Sequence, residues 1–205
     1  MSTLYLVRHG QTEWNRVGRF QGHTDIALNA LGHREALRVA LALAPCGISQ
    51  IYSSDLSRAV ATAQPLAAAL GLAVVEQQAW RERSYGIFEG LTREEIESRH
   101  PVERAQWLKH DPDFAIEGGE SLRQFTERVL ACLAALVAAD DGRPRCVVAH
   151  GGVLDVVYRH IQGIDLSSPR QWTMRNAAIN EVRLEAGALT IVRWGDDAHL
   201  EDPAL

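Results

Sequence analysis

The 205-residue chain is poor in cysteine, and the three it has, Cys46, Cys132 and Cys146, are odd in number, far apart and outside any Cys-x-x-Cys spacing. That pattern supports neither a disulfide framework nor a zinc ribbon, and it fits a reducing cytoplasm. Long apolar runs are missing as well, so no stretch has the length and continuity of a membrane span. No basic segment followed by an apolar one precedes the first strand-like run, and the expectation is a soluble, unexported, cytoplasmic protein without a membrane partner. An excess of positive charge is also lacking. The net charge of -5 gives no electrostatic reason to expect nucleic acid, so any arginine cluster has to be local and specific. Neither Gly-x-Gly-x-x-Gly nor a Walker lysine motif occurs, which argues against a nucleotide-binding fold. His150-Gly151-Gly152 is of the type found in esterase oxyanion loops, but there is no Gly-x-Ser-x-Gly to supply the nucleophile elbow.

What is present is an ordinary globular composition, 46% hydrophobic and 23% charged, in a chain long enough for one domain, residues 1 to 205, with an elaborated insertion. Residues 3 to 8 and 145 to 149 are short apolar runs bounded by polar or turn residues, as expected of strands buried on both faces. Ile51-Tyr52-Ser53 and Ala73-Val74-Val75-Glu76 are weaker strand candidates. Helical stretches lie between them at 32 to 44, 55 to 70 and 121 to 139, the last opened by Ser121 with Gln124 at capping-box spacing. Alternation of strand and helix implies a mainly parallel sheet covered on both faces. Asn180 to Leu184 and Ala188 to Trp194, joined around Gly187, predict a closing hairpin and therefore an antiparallel edge. Residues 9 to 31 and 82 to 120 fit neither pattern, and long irregular segments of this kind are commonly functional.

Arg8-His9-Gly10 falls where the first apolar run stops. In an open α/β sheet the carboxyl ends of parallel strands form the ligand crevice, so this cation and imidazole are placed for chemistry. Ser53 to Arg58, Arg81 to Gly86 and Ala149 to Gly152 likewise put polar groups at strand ends or helix starts. Together they supply two histidines, at least two arginines and a glutamate, an inventory suited to moving a phosphoryl group. Arginine offers a planar fork of donors matched to phosphate oxygens, and imidazole is a nucleophile when neutral and a donor when protonated.

Taken in order, these blocks resemble the histidine phosphatase superfamily, also called the phosphoglycerate mutase-like family. Leu6-Val7-Arg8-His9-Gly10-Gln11-Thr12-Glu13-Trp14-Asn15 is similar to its defining signature, continued by Gln21-Gly22, Asp25, Leu28 and Gly32. Ser53 to Ala59 with Thr62-Ala63, Arg81-Glu82 with Tyr85-Gly86 and Glu89-Gly90, Gly118-Gly119-Glu120-Ser121, and His150-Gly151-Gly152 complete five blocks in the family's order. The resemblance implies a three-layer α/β/α sandwich and a two-step transfer through a phosphohistidine. His9 would be the nucleophile; Arg8, Arg58 and His150 would hold the phosphoryl oxygens; Glu82 would be the general acid and then the base that activates water. Asn15, Gln21, Gly22, Tyr85, Arg93 and Gly151 match substrate-facing positions. No metal and no other cofactor is implied, since the arginines and His150 supply the positive charge.

Gly10 is expected to be glycine because the chain turns sharply beside His9 and a side chain there would obstruct the phosphate. Gly151 and Gly152 precede an apparent helix whose N-terminal amides favour an anion. Residues 82 to 120 are expected to form a cap over the site, with Met174 to Ala177 a second specificity element. His23, His33, His100, His110, His160 and His199 are expected to be surface or hydrogen-bonded side chains, and the five tryptophans to be packing residues. The resemblance leaves three readings of the activity: a metal-independent phosphomonoesterase on a small phosphorylated metabolite, a mutase between phosphoglycerate isomers, or a weakly active phosphate-dependent regulatory protein. Gly152, where the glycolytic mutases carry asparagine, and the absence of their extra basic segment favour hydrolysis. A homo-oligomer is compatible with the sequence, which contains nothing that decides it.

Overall fold

The computed structural model describes residues 1–201. Six strands, β1 (Ser2–Arg8), β2 (Gln50–Ser53), β3 (Val74–Glu76), β4 (Arg145–Ala149), β5 (Ile179–Glu185) and β6 (Ala188–Asp196), form one sheet in the order β3-β2-β4-β1-β5-β6. The first four in that order are mutually parallel, and β5 pairs antiparallel with both β1 and β6. The expected α/β sandwich with a mainly parallel sheet and an antiparallel edge is thus the observed architecture.

Side chains alternate across the central strands, as the two-residue period of a strand requires. Leu4 and Leu6 of β1 and Val147 and Ala149 of β4 pack with Phe125, Val129 and Leu133 of α6 (Leu122–Ala138) and with Val153, Val156 and Val157 of α7 (Gly151–Gln162). Val7, Cys146 and Val148 point the other way, against Val39 and Leu43 of α2 (Ala30–Leu43) and Ala59, Ala63 and Leu66 of α3 (Ser57–Leu70). Each face of the sheet is therefore sealed by its own pair of helices. Among the described residues no helix is long and apolar enough to cross a membrane.

The helix starts show how local chemistry sets the boundaries. Ser121 accepts from Gln124 N in the expected capping box. α2 begins two residues earlier than predicted because Asn29 accepts from Gly32 N. α3 begins later than predicted, because Asp55 is taken up by a two-pronged ion pair with Arg81 at 2.6 and 2.7 Å instead of entering the helix. The two segments expected to be irregular contain short helices: α1 (Glu13–Arg16), α4 (Arg93–Arg99) and α5 (Pro101–Trp107). α1 and α4 open with capping boxes at Thr12/Asn15 and Thr92/Glu95, but all three are too short for an apolar period to be visible. Phe88, Ile96 and Ile116 form a third, separate core packed by Phe20, Tyr85 and Trp107.

The β5–β6 hairpin turns through Ala186 and Gly187, whose φ angles are +49° and +81°. Two successive positive φ values are the requirement of a type I′ turn, in which an alanine is strained. Ala186→Asn is expected to raise stability by roughly 0.5–1 kcal/mol, since asparagine tolerates this conformation. A denaturation midpoint equal to or below that of the parent protein would contradict this assignment.

Candidate active site

β1 and β4 are neighbours with Arg8 opposite Ala149, so the next residue of each chain, His9 and His150, emerge side by side at the carboxyl edge of the sheet. The His9 amide donates to Ala149 O at 2.9 Å, and the ring centroids are 5.1 Å apart, tilted by 58°. Both residues are buried, at 3% and 0% exposure. His9 Nδ1 lies 2.7 Å from Gly10 O. A carbonyl can only accept, so Nδ1 carries the proton and Nε2 keeps its lone pair. Both ring nitrogens of His150 are buried without a hydrogen-bond partner. Burial, and then the charges of Arg58 and Arg8, hold the His9 imidazole well below its ordinary pKa, and the same causes with a further contribution from His9 act on His150. Both rings are therefore neutral near pH 7.

Two guanidinium groups flank the imidazoles. Arg58, on the first turn of α3 and fully buried, donates from Nη1 to Thr24 O at 2.9 Å and from Nη2 to Gly22 O at 2.7 Å. Burial pulls its pKa down to about 10, which leaves it charged at neutral pH. Arg8 Nη1 donates to Met174 O, and burial lowers its pKa as well. The Nε atoms of both arginines are buried and unpartnered. Unpaired buried donors are rare in folded proteins, and a cluster of them marks a place where an acceptor belongs.

Glu82 faces this cluster. Its Oε1 accepts from Arg83 N at 2.8 Å and its Oε2 from Gly152 N at 2.9 Å. A Cβ at position 152 would stand 2.1 Å from Glu82 Oε1, so glycine there lets the carboxylate lie against the start of α7. The Glu82 carbonyl accepts from His23 Nε2 at 2.9 Å and Arg128 Nη2 at 3.2 Å. A cavity of about 290 Å³ opens over Arg8, Glu82, Arg83, Tyr85, Gly151 and Gly152.

The other sequence-predicted residues fall into two groups. Tyr85 and Gly151 line the cavity. Gly22 meets the cluster through its carbonyl, which receives Arg58. Asn15 and Gln21 stand behind it: Asn15 Oδ1 accepts from Thr12 and from Asn176 Nδ2, and Gln21 Oε1 accepts from Thr12 Oγ1. Arg93 is exposed on the first turn of α4 and does not border the cavity. Gly10 is explained differently from the expectation. Its φ is not positive, and a Cβ would meet Gly32 O at 2.6 Å, so the close approach of α2 is what demands glycine.

Several further residues support the cluster from behind. Thr62 Oγ1 receives Gly10 N at 2.9 Å and donates to Arg58 O at 2.7 Å, tying the end of β1 to the first turn of α3. Asn176 Nδ2 donates to His9 O at 3.0 Å. Glu89 accepts from the amides of His23, Thr24 and Tyr85 and from Thr24 Oγ1. Burial alone would raise its pKa, but those donors hold it below the usual carboxylate range. Glu120 and Arg128 pair at 2.8 Å, and Arg128 also caps the carbonyls of Ala79 and Arg81. Glu89 and Glu120 stand inside the sequence blocks and were open to detection there. Arg128 has the pattern of any helix charge. Among the described residues no group of three His, Cys, Asp or Glu side chains is arranged to hold a metal.

Comparison with known proteins agrees with this geometry. The model of the histidine phosphatase superfamily (branch 1) matches residues 4–197. A Klebsiella pneumoniae protein described as a probable phosphoglycerate mutase, GpmB, is 33% identical over 210 residues, covering 100% of this chain and 98% of its own. The fold is similar to that of Bacillus stearothermophilus YhfR, with a TM-score of 0.91 and 26% identity over 98% of this chain and 100% of that one. It is also similar to a mycobacterial glucosyl-3-phosphoglycerate phosphatase solved with VO3, with a TM-score of 0.83 and 32% identity over 94% and 98% of the two chains. The chain therefore belongs to the histidine phosphatase superfamily, as an enzyme with that family's type of activity on small phosphorylated metabolites.

Proposed function

We propose that the protein is a metal-independent phosphomonoesterase that works through a phosphohistidine at His9. The observation that carries this reading is the convergence of unpartnered buried donors, Arg8 Nε, Arg58 Nε and the His150 ring, beside an imidazole whose lone pair is held on Nε2 by the Nδ1–Gly10 hydrogen bond. Those donors match the three non-bridging oxygens of a phosphoryl group, and stabilising charge on these oxygens is most of what such catalysis requires. In the first step His9 Nε2 forms a bond to phosphorus as the bond to the leaving oxygen breaks, and Glu82 delivers its proton to that oxygen. Gly10 O steadies the positive charge left on the ring. In the second step water attacks phosphorus, the N–P bond breaks, and the Glu82 carboxylate takes the proton. Residues 1 to 205 act as one unit in this reading, with residues 82 to 120 as the cap, which brings Glu82 and Tyr85 to the cavity.

A second reading, transfer to another hydroxyl of a phosphoglycerate, draws on the similarity to the protein described as a probable mutase. The products separate the two: free phosphate without isomer exchange supports hydrolysis. His9→Ala is expected to lower turnover of an aryl phosphate, in the presence of chelator, by at least about 10³-fold. Rapid quenching of the parent enzyme should trap an acid-labile, alkali-stable phosphoenzyme. Unimpaired turnover in His9→Ala would refute the nucleophile.

The role of Glu82 has its own test. In Gly152→Ala the new methyl group displaces a flexible carboxylate instead of backbone, so the fold should persist while Glu82 leaves its place. The expected result is a larger loss of kcat for alkyl phosphates, which need protonation of the leaving group, than for aryl phosphates, which need it less. Equal losses for both would count against the general acid.

The neutral histidines set a pH dependence. Their folded pKa values lie below the ordinary 6.5, so in the window beneath 6.5 the unfolded chain binds more protons than the folded one. Stability from these groups is complete above that value and declines as pH falls below it. Inorganic phosphate, bound as an anion among them, favours their protonated forms and should reduce the decline. Thermal unfolding between pH 7.5 and 5.5, with and without phosphate, measures this, and an identical slope in both series would oppose phosphate binding at the two rings.

A further inference from the structure

The carbonyls of Arg8, His9 and Gly10 are held from the chain just before β5. Ala177 N shares its hydrogen between Arg8 O at 3.1 Å and His9 O at 3.2 Å. Asn176 Nδ2 reaches His9 O at 3.0 Å and Gly10 O at 3.3 Å. Gly10 O is in turn the acceptor of His9 Nδ1, so the position of these carbonyls decides where the imidazole stands.

Ala177 performs this in an unfavourable conformation. Its φ is +56°, at the third position of a turn that Ala178 N closes onto Arg175 O at 3.3 Å, a place where type II turns take glycine. The other non-glycine residues of positive φ, His110 and Ala186, lie in exposed turns, whereas Ala177 is fully buried. An alanine escapes such strain by turning over the peptide before it, which converts a type II turn into type I. The Ala177 N–H would then point away from β1, and the Asn176 carbonyl would face the carbonyls that Ala177 now serves. A strained residue persists only where its surroundings hold it.

His199 supplies that hold. Its Nε2 lies 3.1 Å from Ala177 O, and a carbonyl can only accept, so Nε2 is the donor. Ala177 is buried away from water, so its carbonyl depends on a donor within the protein. Burial keeps the His199 imidazole below its ordinary pKa, against the opposing pull of Ala177 O, Asp196 and Asp197, and the ring donates in its neutral form. His199 stands on the short helical turn Ala198–Leu200, which is itself anchored: Leu200 packs against the core that contains Val39, Leu43 and Ala177, and its carbonyl accepts from Arg38 Nη1. Ala177 is thus pinned at its amide by β1 and at its carbonyl by His199.

We propose that His199 is a positioning residue for phosphoryl transfer: through Ala177 it fixes the carbonyls around His9 and with them the aim of His9 Nε2. The inference rests on the reading of His9 as nucleophile and extends the support of that nucleophile to the turn after β6.

His199→Phe keeps a ring of similar volume and removes the donor. It is expected to lower kcat for an aryl phosphate about tenfold and to move KM less than about twofold, because a displaced nucleophile costs rate more than binding. His199→Gln retains a donor and should keep most of the parent kcat. The decisive variant adds Ala177→Gly to His199→Phe. Glycine takes a positive φ without strain, so this double variant should recover kcat to within about threefold of the parent. A brace that served stability alone would lower the thermal midpoint of His199→Phe and leave the kcat of the folded enzyme as it was. His199→Leu repeats the measurement where the phenyl ring prevents folding. Parent-like kcat in the folded donor-less variants, or a loss that Ala177→Gly does not restore, would overturn the positioning role alone. Turnover that survives in His9→Ala would instead overturn the nucleophile reading on which it rests.

Discussion

The parallel pairing of β1 with β4 is the constraint on which the site depends. With Arg8 opposite Ala149, the two histidines leave adjacent strands at the same height, and the backbone bond from His9 N to Ala149 O continues the ladder into the site. That register is set by packing on both faces. Leu4, Leu6, Val147 and Ala149 belong to one core and Val7, Cys146 and Val148 to the other. A slip of one residue would send each set to the wrong helices. The same burial that stabilises the sheet therefore fixes the separation of the imidazoles, and their pairing needs no separate scaffold.

Around the paired rings the protein concentrates positive charge and excludes water, two conditions that oppose each other. Burial drives Arg8 and Arg58 toward losing their protons, and the rings have already lost theirs. The carbonyls of Gly22, Thr24 and Met174 keep the guanidinium groups in place without neutralising them. A carboxylate in those positions would bind the arginines more strongly, but it would also cancel their charge. Burial is the largest influence on both groups, ahead of the opposing charges of Glu82, Asp25 and Glu89 on Arg58 and of Glu82 and Glu35 on Arg8.

Much of this was legible in the sequence because the chemistry sits at the ends of regular elements. Arg8-His9 and Ala149-His150 each close a short apolar run, and Arg58 sits where a helical period begins, so position along the chain implied position at the sheet edge. The helices α4 and α5 escaped notice because seven residues with few buried side chains carry no readable period. Gly10 was attributed to a turn, whereas the answer lies in Gly32, a packing partner that only the folded chain brings near. Arg128 was invisible for the same reason. Its work is to cap the carbonyls of Ala79, Arg81 and Glu82, and backbone acceptors leave no trace in residue type. Arg93 was placed by motif position alone, and the fold leaves it exposed on the first turn of α4, outside the border of the cavity.

One helix joins the paired histidines to the far wall of the cavity. α7 starts directly after His150, gives the amide of Gly152 to Glu82, and holds Asp155 at the cavity with Arg159 behind it. Residues 152, 155 and 159 recur at helical spacing and share a face, so a single surface runs from the Glu82 carboxylate to the Asp155–Arg159 pair. The first turn of that face is bound to the sheet and to Glu82, where even a methyl group at Gly152 intrudes. One turn further the face is free of the sheet register, and beyond its end Arg170 sits in a connection that pairs with no strand. Substitutions at Asp155 therefore leave the pairing of His9 with His150 as the two cores dictate.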